Sequence, residues 1–170
     1  EFEPWASRQD VIPGRVAIEF NYILRVYTAE GELDATVSGR LKHEAQSRAD
    51  LPAVGDWVTL RRLPGEKSAV ILAVLPRRSQ FSRRMAGQVT DEQVVAANVD
   101  VIFLVMGLDG DFSVRRLERY LLLSGESGAA PVVLLTKPDL ASDLAAQVAS
   151  VMAVTGETPV HVLNPREHQG

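Results

Sequence analysis

Pro131-Val132-Val133-Leu134-Leu135-Thr136-Lys137-Pro138-Asp139 is an apolar run of strand length that ends in a polar loop stiffened by proline. Such a run is the pattern of a strand buried on both faces of a parallel sheet. Upstream, Val99 to Met106 repeats it, with Asp100 as the only interruption. Between the two, Ser113 can cap a helix through Ser124, with Val114, Leu117, Leu121 and Ser124 along one side. Downstream, Ser142 is placed to cap a second helix, whose Leu144, Val148 and Val151 keep the 3.6 period. Thr158 to Leu163 then reads as a third strand. Strand, helix, strand, helix, strand predicts the βαβαβ arrangement of a doubly wound α/β sheet.

The amino-terminal half has a different texture. Arg15 to Tyr27 is rich in Val, Ile, Phe and Tyr, Glu30-Gly31 makes a turn, and Leu33 to Leu41 resumes the extended pattern as a hairpin. Asp56 to Leu60, the Pro64-Gly65 turn, and Ala69 to Leu75 form a second pair. Several short strands without a helical run between them predict a small β-barrel or sandwich.

The whole chain has 170 residues, 46% hydrophobic and 24% charged, with 12 Gly and 9 Pro, the proportions of a globular protein. No apolar run approaches the roughly 20 residues that a helical membrane span needs. The absence of cysteine excludes disulfides and thiolate metal sites and fits a reducing compartment. The opening Glu1-Phe2-Glu3-Pro4-Trp5 has neither an initiator Met nor a leader, so the chain is expected to begin inside a longer one. The net charge of −4 is unevenly spread: residues 1–90 hold 13 Lys/Arg against 11 Asp/Glu, and residues 91–170 hold 5 against 11. Unequal electrostatics in the two halves predict two domains, 1–80 and 81–170.

In open α/β sheets ligands bind beyond the carboxyl ends of the strands, which directs attention to Thr136-Lys137-Pro138-Asp139. A carboxylate projecting from that loop can accept from two adjacent donors, the pair that the N1–H and 2-amino group of guanine offer. Adenine lacks the pair and would leave the carboxylate unsatisfied. The Lys137 stem can cover the base plane while its ammonium stays solvated or holds a neighbouring loop, Thr136 can fix the loop from inside, and Pro138 stiffens the turn. The same residues are also consistent with a plain strand-to-helix connection, with Asp139 as a cap and Lys137 as a surface charge. A guanine nucleotide needs a phosphate loop of the form GxxxxGK[ST] as well. Lys42, Lys67 and Lys137 follow Leu, Glu and Thr, so no such loop precedes the base motif. Either the motif is accidental or the order of elements is permuted.

Arg77-Arg78-Ser79, Arg83-Arg84, Gln93-Val94-Val95-Ala96-Ala97-Asn98-Val99-Asp100, Asp111-Phe112, Arg116-Leu117-Glu118-Arg119-Tyr120-Leu121 and Thr136-Lys137-Pro138-Asp139-Leu140 together resemble the bacterial RsgA (YjeQ) family. These are circularly permuted GTPases dependent on the small ribosomal subunit, and Gly55-Asp56-Trp57-Val58 resembles their barrel signature. The resemblance implies an OB-fold barrel that binds RNA or the ribosome over 1–80. It implies that 81–170 is the first part of a circularly permuted, P-loop-type GTPase α/β domain, incomplete because the phosphate loop is expected to follow. It also implies a GTP hydrolase of ribosome biogenesis that binds the small subunit late in maturation and leaves it on hydrolysis. The implied nucleotide-binding residues are Thr136, Lys137, Pro138, Asp139, Leu163 and Asn164. At the last two, Leu163-Asn164-Pro165 replaces the family's Ser-Ala-like loop. Mg²⁺ with GTP or GDP, and a zinc-binding Cys/His tail, are expected beyond residue 170, so these residues alone are expected to be inactive, with no catalytic or metal ligand among them. The implied partners are the small subunit, its rRNA and a guanine nucleotide, without a membrane, for a cytoplasmic monomer.

An OB barrel predicts an RNA face of basic and stacking side chains. Candidates are Arg40, Lys42, Arg61, Arg62, Arg77, Arg78, Arg83 and Arg84. Trp5, Phe20 and Tyr22 are either stacking platforms or core, and Trp57, inside a strand, is expected in the core. His43, His161 and His168 have no metal-ligand spacing, Asp109-Gly110-Asp111 reads as a tight turn rather than a Mg²⁺ site, and Arg115, Arg116 and Arg119 as surface ion-pairing residues. The alternative function is an RNA-binding OB module on an α/β scaffold without nucleotide chemistry. A third is an interaction protein whose basic half docks on an acidic partner.

Overall fold

The computed structural model describes residue 5 and residues 10–84 and 92–167; the side chains of Arg83 and Arg84, and all of His168, lie outside the described residues. The chain divides into two compact units, 1–99 and 100–170.

In the first unit, β1 (Val11–Phe20), β2 (Ile23–Thr28), β3 (Gly31–Val37), β4 (Trp57–Arg62) and β5 (Ser68–Val74) close into a barrel of order β1-β2-β3-β5-β4. Alternation drives the closure: Leu24 and Val26 of β2, Leu33 and Ala35 of β3, Val58 and Leu60 of β4, and Ala69 and Ile71 of β5 all point inward. β3 and β5 pair in parallel, and the other four pairs are antiparallel. This is the expected OB barrel, with three local differences.

Arg15 to Tyr27 is two strands, not one, reversing at Asn21 and Tyr22 with φ of 47° and 67°. Two central residues at positive φ match the right-handed twist of a hairpin, and Tyr hides the signal because bulky residues rarely sit there. β3 stops at Val37, where Ser38 caps α1 (Gly39–Glu44) by accepting from the Leu41 amide at 3.2 Å. Trp57 is 41% exposed, against the expected core position, because Val58 and Leu60 take the inward phase of β4. Its ring centroid lies 5.8 Å from the Arg15 guanidinium, within reach of a cation–π contact.

β6 (Gln80–Arg84) and β7 (Glu92–Ala97) form a hairpin that packs with the barrel, so residues 81–99, expected in the second domain, belong to the first compact unit. The Gly55-Asp56 pair explains the attachment. Gly55 has φ +92°, and a Cβ there would sit 2.0 Å from the Ala97 carbonyl oxygen, so only glycine allows this approach. The Ala97 amide donates to the Val54 carbonyl at 2.8 Å, and Asn98 Nδ2 donates to the Gly55 carbonyl at 3.2 Å. Asn98 also accepts from the Arg78 amide at 2.9 Å, and Asp56 is fully buried against Arg77.

In the second unit, β8 (Val101–Gly107), β9 (Ala130–Thr136) and β10 (Val160–Leu163) form a parallel sheet of order β10-β9-β8. α2 (Val114–Ser127), capped by Ser113, and α3 (Leu144–Thr155) cross between them, and Leu117 and Val151 pack on Leu104, Met106, Val133 and Leu135. Asp143 rather than Ser142 caps α3, accepting from the Ala146 amide at 3.0 Å. The strand order does not reverse among the described residues, so the two crossovers run the same way, and the doubly wound expectation is met as one wound half. The loops after β8, β9 and β10 thereby come together at the carboxyl edge.

Candidate functional site

At that edge the end of β9 is clamped to β8: the Leu108 amide donates to the Thr136 carbonyl at 2.8 Å, and Thr136 Oγ1 donates to the Met106 carbonyl at 3.4 Å. The chain then turns sharply. Lys137 adopts left-handed backbone, φ 58° and ψ 49°, and Pro138–Leu140 make one 3-10 turn. Lys137 Nζ binds Asp109 Oδ2 at 2.5 Å, and Asp109 Oδ1 accepts from the Asp111 amide at 3.2 Å. The ammonium of Lys137, followed by the Asp111 amide, holds the Asp109 carboxyl below the usual carboxylate range.

A cavity of about 360 Å³ opens between the β9 and β10 loops, lined by Thr136, Lys137, Asp139, Leu140, Asn164, Pro165 and Arg166. The exposed Asp139 carboxylate has no hydrogen-bond or ion-pair partner among the described residues, whereas the side chains of Thr136 and Lys137 beside it are tied to Met106 and Asp109. Asn164 is buried, its carbonyl accepting from the Glu167 amide at 3.1 Å. Thr136, Lys137, Asp139 and Asn164 thus converge on one cavity. Pro138 shapes the turn behind it, and Leu163 ends β10 opposite Thr136. Leu140, Pro165, Arg166 and Asp109 are not signalled as site residues by the sequence. Leu140 follows Asp139 in the β9 loop itself, Pro165 and Arg166 are reached only because parallel pairing sets the β10 loop beside the β9 loop, and Asp109 reads as a simple turn residue.

The basic candidates separate into two kinds. Arg77 directs all five of its N–H donors inward, to Asp56 Oδ1 and Oδ2, Gln80 Oε1 and the carbonyls of Ala49 and Leu51, at 2.6–3.3 Å. It is a fold residue with no donor left for phosphate. Of the other candidates with described side chains, Arg40 pairs with Glu44 on α1, Arg62 pairs with Glu30 across the barrel, and Lys42, Arg61 and Arg78 are exposed, whereas the side chains of Arg83 and Arg84 lie outside the described residues. Arg40 and Arg61 line a second cavity of about 770 Å³ together with Trp5. Phe20 and Tyr22, at the β1–β2 tip, are 70% and 87% exposed and therefore not core. Asp111 pairs with Arg116, and no group of three His, Cys, Asp or Glu able to hold a metal occurs among the described residues. Among those residues no helix is long and apolar enough to cross a membrane.

The family model described as RsgA GTPase matches residues 74–170. The chain is 46% identical over 177 residues to the small ribosomal subunit biogenesis GTPase RsgA of Opitutus terrae, covering 99% of this chain and 48% of that protein. It is 42% identical over 159 residues to the small ribosomal subunit biogenesis GTPase RsgA 2 of Lactiplantibacillus plantarum, covering 94% and 45%. The chain spans about half the length of the curated relatives it matches. In fold it is similar to YjeQ from Thermotoga maritima (TM-score 0.70, 22% identity, 94% of this chain and 54% of that one). It is also similar to YloQ, described as a circularly permuted GTPase (TM-score 0.65, 17% identity, the same coverage). With a matched family profile, a barrel followed by a parallel sheet, and the Thr136–Asp139 loop at that sheet's carboxyl edge, the chain belongs to the RsgA GTPase family.

Proposed function

We propose that these residues are the amino-terminal part of a GTPase that binds the small ribosomal subunit late in its assembly and hydrolyses GTP to leave it. In this reading the second unit selects the guanine base and the barrel touches rRNA. The observation that carries the reading is the Asp139 carboxylate, without a partner among the described residues, on a cavity where Thr136 and Lys137 are already tied to Met106 and Asp109. A carboxylate in that setting accepts from N1–H and the 2-amino group of guanine, and adenine offers it nothing equivalent. The Lys137 stem covers the base, and the clamped Thr136 keeps the loop end in register with β8.

Hydrolysis needs a phosphate loop, which we place in sequence after residue 170. The Mg²⁺ bound with the nucleotide's phosphates and the zinc site belong there as well. On this reading Asp109 and Asp111, engaged by Lys137 and Arg116, act as loop ties rather than as cation ligands. The barrel's outward Arg40, Lys42, Arg61, Arg62 and Arg78, with Phe20 and Tyr22 at the hairpin tip, suit phosphate contact and base stacking. The protein works as a cytoplasmic monomer on this reading.

The test is nucleotide titration of the full-length protein and its Asp139→Asn variant. Asparagine presents one donor and one acceptor, which suit the N1–H and C2 carbonyl of xanthine better than guanine. GDP affinity falls at least about 100-fold and xanthosine diphosphate affinity rises. Unchanged GDP affinity defeats the assignment, and salt-sensitive RNA binding with no guanine effect would favour the simple RNA-binding module.

A further inference from the structure

Asp109 lies two residues beyond the end of β8, and Gly107 makes room for it. A Cβ on Gly107 would come within 2.7 Å of Asp109 Oδ1, so the glycine leaves open the space into which this carboxylate folds back. Folded there, one oxygen accepts from the Asp111 amide and the other binds Lys137 Nζ. Lys137 is the residue with left-handed backbone in the base loop, and among the described residues its ammonium has no other partner. Its side chain lines the cavity that holds Asp139. The tie joins the loops after β8 and β9, and its members lie 28 residues apart in sequence.

We propose that Asp109 is a positioning residue for base recognition, holding Lys137 across the cavity before the nucleotide arrives. The proposal rests on the reading of Thr136–Asp139 as a guanine site. An unrestrained lysine samples many rotamers and loses that freedom when it covers a base, and a lysine already tied at its ammonium has lost it in advance. Asp139 reads the donors of the base, and Asp109 decides how often the lid over the base plane is in place. Shortening or displacing the carboxylate therefore weakens the nucleotide without touching it.

The experiment measures GDP and ADP affinities of the full-length protein by equilibrium titration for Asp109→Ala, Asp109→Glu, Gly107→Ala, Lys137→Ala and the Asp109→Ala/Lys137→Ala pair, with thermal melts of each. GDP binding is expected to weaken about three- to tenfold in Asp109→Ala, the size of one immobilised flexible side chain. Asp109→Glu restores most of it, because the longer side chain still reaches the ammonium. Gly107→Ala reproduces the loss by pushing the carboxylate aside. In the Lys137→Ala background Asp109→Ala has no further effect, a coupling that general destabilisation cannot imitate. If Asp109→Ala binds GDP like the parent, or loses the same factor with and without Lys137, the positioning role is overturned while the guanine site stands. If the parent shows no preference for GDP over ADP, the base site and the positioning role fall together.

Discussion

Arg77→Ala tests whether the arginine pair at 77–78 belongs to the fold or to an RNA surface. The substitution removes five hydrogen bonds at once and leaves Asp56, fully buried, with the Ala53 amide as its sole remaining side-chain partner among the described residues. It also strips the carbonyls of Ala49 and Leu51 of a shared donor. Breaking a buried ion pair by removing one member costs about 3–5 kcal/mol, because the survivor stays buried and uncompensated. In a unit of this size that lowers Tm by roughly 15–30 °C. The two tryptophans, Trp5 and Trp57, both lie in the first unit, so indole fluorescence during urea or thermal unfolding reports that unit. Asp56→Ala/Arg77→Met, which removes both charges, is expected to cost less than Arg77→Ala alone. RNA affinity of the folded variant stays at the parent level. A loss below about 1 kcal/mol, or strictly additive single and double variants, would refute the structural assignment. Weakened RNA binding at full stability would return Arg77 to the RNA surface.

Gly55→Ala places a methyl 2.0 Å from the Ala97 carbonyl on backbone of φ +92°, so urea unfolding should show a loss of at least about 2 kcal/mol, whereas Gly65→Ala, in open space, loses less. Asp50, whose carboxylate accepts from the Ser47 and Gln46 amides, is held below the usual range mainly by the Ser47 bond, and Asp109 is held low mainly by Lys137. A carboxylate with a lowered folded value contributes stability above its ordinary value of about 4 and loses it as pH falls through the lowered one. Acid titration monitored by circular dichroism should therefore show stability falling below about pH 4, with a shallower fall in Asp50→Asn. Charge reversal at Arg61 or Lys42, both exposed, should weaken binding to single-stranded RNA and reduce the dependence of log K on log salt by about 0.7 for each phosphate no longer neutralised; an unchanged slope removes the residue from the RNA surface.

Strand-forming runs and their loops are local properties, and they are legible in the order of residues. The two apolar strands ending at Gly107 and Thr136, and the helices between strands, follow from hydrophobic period and capping chemistry. Because parallel strands present all their carboxyl ends at one edge, the position of Thr136–Asp139 at the end of such a strand is enough to locate the candidate site. Inward or outward phase is different. Trp57 and Val58 are neighbours in a strand, and which of them faces the core depends on the strands that close the barrel around β4. The Asn21-Tyr22 reversal is hidden in the sequence because a tyrosine at positive φ is held by the pairing on either side.

Charge presents the sharpest contrast. Arg77 and Arg78 are indistinguishable as letters, yet one is enclosed with a carboxylate 21 residues away and the other is exposed. Asp109 and Lys137, 28 residues apart, meet only because β8 and β9 are adjacent in the sheet. Residue order alone determined the class of fold and the place of the candidate Thr136–Asp139 loop, since these depend on neighbours in sequence. Tertiary structure alone decided which charges are buried partners and which face solvent where a ligand can reach them, because desolvation and pairing are set by residues brought together from distant parts of the chain.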